Sequence, residues 1–90
     1  MPVFKGTTSS VASEIANDIP SGVLSFSVVM TAAGALDIYI GAASVYVSIF
    51  SATTLDFKDK VYNDSPITVL SGQNIYLVTD SSCDYYFSIE

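Results

Sequence analysis

The strongest constraint in this sequence is an alternation of period two that returns between short polar turns. From Val23 to Thr31 the large residues Leu24, Phe26, Val28 and Met30 alternate with Ser25, Ser27 and Val29. Successive side chains of a strand point to opposite faces, so this spacing predicts a strand with one buried face. The pattern recurs with Leu36, Ile38 and Ile40 set against Asp37 and Tyr39, and with Val45, Val47 and Ile49 set against Tyr46, Ser48 and Phe50. Cys83, Tyr85, Phe87 and Ile89 form the apolar face of a last strand. Turn chemistry separates these runs at Ala32-Ala33-Gly34, Gly41-Ala42-Ala43, Asn63-Asp64-Ser65-Pro66, Ser71-Gly72-Gln73-Asn74 and Asp80-Ser81-Ser82. Short strands at intervals of about eight to twelve residues, with no convincing amphipathic helix, predict an all-β chain. The expected fold is a small antiparallel β-sandwich or barrel, jelly-roll-like, of about seven or eight short strands.

The first residues fit this scheme least well. Val11, Ile15 and Ile19 lie on one helical stripe and equally on one face of an extended strand. Ile19-Pro20-Ser21-Gly22 breaks either element. The expectation is therefore an extended, polar N-terminal arm over residues 1–18, which could lie across a neighbouring subunit, and a β-sandwich domain over residues 19–90. One internal echo, Ile38-Tyr39-Ile40 after Gly34 and Ile75-Tyr76-Leu77 after Gly72, reads as strands reusing the same residue types.

Bulk composition bears on what such a sandwich does with its surface. A chain of 90 residues makes one domain, and folding hides only about 60–65% of the surface of so small a chain. Half the residues are hydrophobic and 13% are charged, which leaves more apolar surface than a lone domain of this size covers. A homo-oligomer or a place in a larger assembly is expected. If Leu24, Phe26, Val28, Leu36, Ile38, Val45, Val47, Ile49, Leu77, Phe87 and Ile89 fill the interior, then Val29, Tyr39, Tyr46, Phe50, Tyr76 and Tyr86 point away from it and form a candidate interface. Tyrosine suits that role because its ring buries area while its hydroxyl still finds a partner.

The residue inventory narrows the chemistry. The formal net charge of −6 opposes phosphate neutralisation, so nucleic acid is not an expected partner. The three lysines form no basic cluster for an anionic membrane surface. Between Ile19 and Leu55 only Asp37 is charged, long enough for a membrane hairpin, but Pro, Gly and Ser punctuate both halves and the period is two. The polar start after Lys5 lacks the pattern of a secretory leader. With no His, a serine or cysteine nucleophile has no ordinary base, and lysines among carboxylates stay charged. No catalytic residue and no cofactor are expected. Asp56, Asp59, Asn63 and Asp64 crowd one segment without the spacing of a calcium loop, and read as a solvated loop rather than a metal site. Cys83 reads as a small buried hydrophobe.

Taken together, the Ser/Thr-rich start before Ile19-Pro20-Ser21-Gly22, the short Val/Ser/Tyr strands, the Ser71-Gly72-Gln73-Asn74-Ile75-Tyr76-Leu77 turn-strand and the final Tyr86-Phe87-Ser88-Ile89-Glu90 resemble small virion proteins of bacterial and archaeal viruses. These are capsid decoration or cement proteins and related head-fibre or tail components. The resemblance implies a β-sandwich in the virion that binds other virion proteins, a major capsid protein or a tail component, and strengthens the shell without catalysis. Two other classes fit the same composition: a small cellular binding or assembly module, and a membrane-active protein of pore-forming or holin-like type.

Overall fold

The computed structural model describes residues 2–9, 13–42 and 45–90. Among them the chain forms nine strands: β1 (Val3–Ser9), β2 (Ser13–Ile19), β3 (Gly22–Met30), β4 (Gly34–Ala42), β5 (Val45–Leu55), β6 (Lys60–Tyr62), β7 (Ile67–Val69), β8 (Gln73–Thr79) and β9 (Ser82–Ile89). One sheet runs β1-β9-β3-β6, with β7 also paired to β3, and the other runs β2-β8-β4-β5. We call them the β3 sheet and the β4 sheet. Every pairing is antiparallel. The strands of the chain's start pair with those of its end, β1 with β9 and β2 with β8, which is the strand order of a jelly roll. The expected antiparallel sandwich is therefore the fold.

The alternation that predicted β3 is its burial pattern. Leu24, Phe26, Val28 and Met30 are buried, and the residues between them face outward. They meet Leu36, Ile38 and Ile40 of β4, Ile75 and Leu77 of β8, and Cys83, Phe87 and Ile89 of β9 in one apolar layer between the sheets. Phe26 stacks on Phe87 at 5.7 Å between ring centroids and meets Phe50 edge-on at 6.2 Å. Such ring pairs add about 0.5–1.5 kcal/mol beyond the area they bury.

Within the segment expected as an arm, the described residues form two edge strands: β1 pairs with β9 through seven positions from Val3↔Ser88 to Ser9↔Ser82, and β2 pairs with β8. Ala16 and Ile19 belong to the core, with Phe4 and Ile15 packed against it. The boundary expected at residues 18 and 19 falls inside β2. An edge strand takes its stability from a backbone ladder and one modest apolar face, so a Ser/Thr-rich segment suffices. Val11, the third residue of the ambiguous stripe, lies outside the described residues.

β6 and β7 share one lane beside β3, Val61 opposite Val28 and Ile67 opposite Leu24. Asn63 fills the gap between them. Its Oδ1 accepts the Phe26 N–H at 2.9 Å, and its Nδ2 donates to the Ser65 carbonyl at 3.0 Å. A side-chain amide thus satisfies a backbone donor that an unbroken strand would have paired. The turn at 70–73 is closed similarly: Gly72 has φ of 85°, a left-handed conformation glycine adopts without a Cβ penalty, and Gln73 Oε1 accepts the Leu70 N–H at 2.8 Å.

Candidate functional site

The outer face of the β4 sheet carries the aromatic cluster. Tyr39 on β4 lies directly opposite Tyr76 on β8, and Tyr76 lies opposite Glu14 on β2. The echo noted in the sequence has a structural role here, because its two triplets are paired to each other: Ile38↔Leu77, Tyr39↔Tyr76 and Ile40↔Ile75. The isoleucines and leucine enter the core and the two tyrosines meet outside it. Cross-strand aromatic neighbours of this kind are the unit that stabilises a sheet face.

Tyr46 joins them from β5 across a glycine. Gly41 of β4 stands opposite Tyr46 and, on its other side, opposite Asn74 of β8. A Cβ on Gly41 would meet the Tyr46 ring at 3.0 Å and crowd the β5 backbone more closely still. The missing side chain lets Tyr46 lean over β4 and reach Tyr76, with the rings edge to face at 4.7 Å and 80°. Tyr39, Tyr46, Tyr76 and Val78 line an open depression of about 240 Å³. A hydrogen bond with Tyr46, then desolvation, then the nearby Glu14 carboxylate hold the Tyr76 phenol above its ordinary pKa. Tyr76 therefore stays protonated at physiological pH and offers a ring with a hydroxyl rather than a charge.

The candidate interface of six residues divides three ways. Tyr39, Tyr46 and Tyr76 come together as described. Val29 and Tyr86 lie on the outer face of the β3 sheet, Val29 opposite Asp84 and Lys60, Tyr86 opposite Lys5 and Ser27. Tyr86 is exposed there among polar neighbours. Phe50 is a correction, since it packs against the core beside Phe26. The cause is a bulge: Ile38 pairs with Phe50 and Tyr39 with Ser48, so Ile49 is one residue too many and the alternation changes phase.

The same strand corrects two expected interior residues. Val45 and Val47 stand opposite Ala42 and Ile40, on the core side of the sheet by register, yet are 73% and 63% exposed. The facing edge of the β3 sheet is made of two three-residue strands, β6 and β7, and leaves this end of β5 uncovered. Farther along, a cleft of about 250 Å³ opens between the sheets, with Ile49 and Phe50 on one wall and Tyr62 and Ile67 on the other. Sequence reasoning missed Glu14, Val78 and Gly41 as parts of the aromatic site. Only the Gly41 spacing carried a signal, and it also reads as a corner.

The remaining candidates sit elsewhere. Asp59 Oδ2 accepts the Asp56 N–H at 2.8 Å, and the Asp59 N–H donates to the Asp56 carbonyl at 3.0 Å, so these acids close their own turn. Among the described residues no three His, Cys, Asp or Glu side chains gather as metal ligands, and no helix is long and apolar enough to cross a membrane. Cys83 is fully buried, and burial, with Asp84 adding to it, pushes its thiol up to about 11. Comparison with protein-family models, curated proteins and solved structures finds no match.

Proposed function

We propose that this protein is a non-enzymatic structural component of a virion, which docks the outer face of its β4 sheet on a capsid or tail protein and strengthens the assembly. The observation that carries the reading is the cluster of Tyr39, Tyr46 and Tyr76 gathered in one depression on the outer face of the β4 sheet. Tyrosines gathered in one depression supply rigid area and hydroxyl partners, the qualities of interface anchors. Jelly rolls recur in viral capsids, and also in lectins and cupins, so the fold alone decides nothing and the surface carries the weight. The residue inventory supports a binding role over catalysis, because the chain contains no His and its one thiol is held protonated inside the core.

The test is co-sedimentation with shells from which this protein has been stripped. Tyr46→Asp should weaken binding at least about tenfold, since it places a charge where an aromatic anchor was. Ser48→Asp, on the same strand and face and opposite Tyr39 but without loss of a ring from the depression, should weaken binding less. Equal binding by both variants would remove the tyrosine face from the account. Failure of the parent to bind any shell or tail component would remove the virion role, in favour of a cellular binding module.

A further inference from the structure

Among the described residues four strand edges end the two sheets, and three carry features that discourage further pairing. The β1 edge presents Lys5; the β2 edge presents Glu14 and Asp18 and two register shifts; β6 and β7 are three residues each, with Lys60 at one end and Pro66 between them. Charges, bulges, short strands and proline are the devices by which sheet proteins avoid edge-to-edge association. β5 is the exception in composition. It is the longest strand, 11 residues, and contains neither a charged residue nor a proline. Bulges on its β4 side at Ile49 and between Ala52 and Leu55 interrupt its second half, which leaves the beginning of the strand regular.

That regular beginning reads Val45-Tyr46-Val47, the same in both directions. We propose that two copies of this chain pair through it, β5 against β5 in antiparallel register about a two-fold axis at Tyr46. Val45 of each copy then faces Val47 of the other, and Tyr46 faces Tyr46. The register satisfies the requirement that opposed residues share a face, so the four valines meet on the core side and the tyrosines on the outer side. Val45 and Val47 are the exposed apolar residues that the protein's own second sheet leaves uncovered. A second copy is the occupant that fits: each chain carries a net charge of −6, and this is the edge on which two such chains meet without opposing charges. The two β4 sheets become one of eight strands, with two tyrosine clusters on a continuous face. The contact is short, well below the area of a stable dimer, so it forms reversibly and gains strength only in a lattice of many copies.

The proposal stands apart from shell docking and is tested without shells. A two-fold at Tyr46 brings that residue opposite itself, so Tyr46→Cys should give a disulfide-linked dimer under mild oxidation at least about tenfold faster than Thr53→Cys on the same edge. Cys83 is buried, and the parent protein should stay monomeric on the same gel. Sedimentation velocity on the parent should show reversible association as the concentration approaches about 1 mM, abolished by Val47→Lys and by Val45→Lys, both at exposed positions outside the core. Circular dichroism matching the parent would establish that each variant folds. A parent that remains monomeric at that concentration, association that survives both lysines, or equal crosslinking at positions 46 and 53 would overturn the proposal.

Discussion

The two sheets present similar inner faces and dissimilar outer ones. Inside, β3 contributes Leu24, Phe26, Val28 and Met30, and β4 contributes Leu36, Ile38 and Ile40, all buried. Outside, the β3 sheet pairs Lys5 with Tyr86 and Thr7 with Asp84, and the Thr7 hydroxyl donates to Asp84 at 2.7 Å. The β4 sheet instead gathers Tyr39, Tyr46 and Tyr76 around Val78. The β3 face also exposes Val3, Val23, Tyr62 and Tyr86, set among Ser, Thr and charged neighbours, whereas the β4 face gathers its rings into one depression. The difference separates what the fold needs from what it displays. Inner positions follow from packing a sandwich of this size, whereas nothing in packing requires three tyrosines on one exterior.

The comparison can be broken most severely by removing an edge from each sheet at once. Deletion of residues 1–18 takes away β1 and all of β2 except its last residue, strips the β9 and β8 ladders, and uncovers the core beside Ala16. Cooperative thermal unfolding should vanish, as followed by circular dichroism or calorimetry. A truncated chain that melts like the parent would restore the separate arm that the sequence suggested.

Next in size are single side chains on the two sides of a sheet. Phe87→Ala removes a fully buried ring stacked on Phe26 and should cost about 3–5 kcal/mol in denaturant unfolding. Tyr39→Ala, on the outer face, should cost under about 1 kcal/mol. Equal losses would mean that the tyrosine face is structural rather than displayed.

A smaller effect distinguishes the faces by pH. Cys83 lies on the inner side of β9, where burial raises its thiol from an unfolded value of 9.0 to about 11. The unfolded chain therefore releases this proton first as pH rises. The contribution to stability is complete below pH 9.0 and is lost progressively up to pH about 11, a change on the order of 2–3 kcal/mol. In Cys83→Ala the decline over that window should be shallower by this amount. Superimposable declines would place the thiol in a wetter site than the structure does.

Sequence reasoning reached the sandwich because period-two burial is local: Leu24 to Met30 and Cys83 to Ile89 show in their own spacing what they bury. It failed on β1 and β2 because an edge strand borrows its order from a partner far along the chain, here Ser82 to Ile89, and needs little apolar patterning of its own. It failed at Phe50 because one extra residue, Ile49, inverts the side chains from Phe50 to Ala52, and nothing in Val45 to Phe50 marks a bulge. It placed Tyr39, Tyr46 and Tyr76 outside correctly but could not join them. That required the β4 to β8 register and the bare Gly41 between Tyr46 and Tyr76.

The proposed docking surface is the tyrosine face of the β4 sheet. A cryo-EM map of the native particle, at a resolution that separates strands, tests it most directly. The account predicts that Tyr39, Tyr46 and Tyr76 are covered by a neighbouring virion protein, with Lys5, Asp84 and Tyr86 of the β3 sheet turned to solvent. A map in which the neighbour covers Tyr86 and Asp84 while the three tyrosines face water would contradict it.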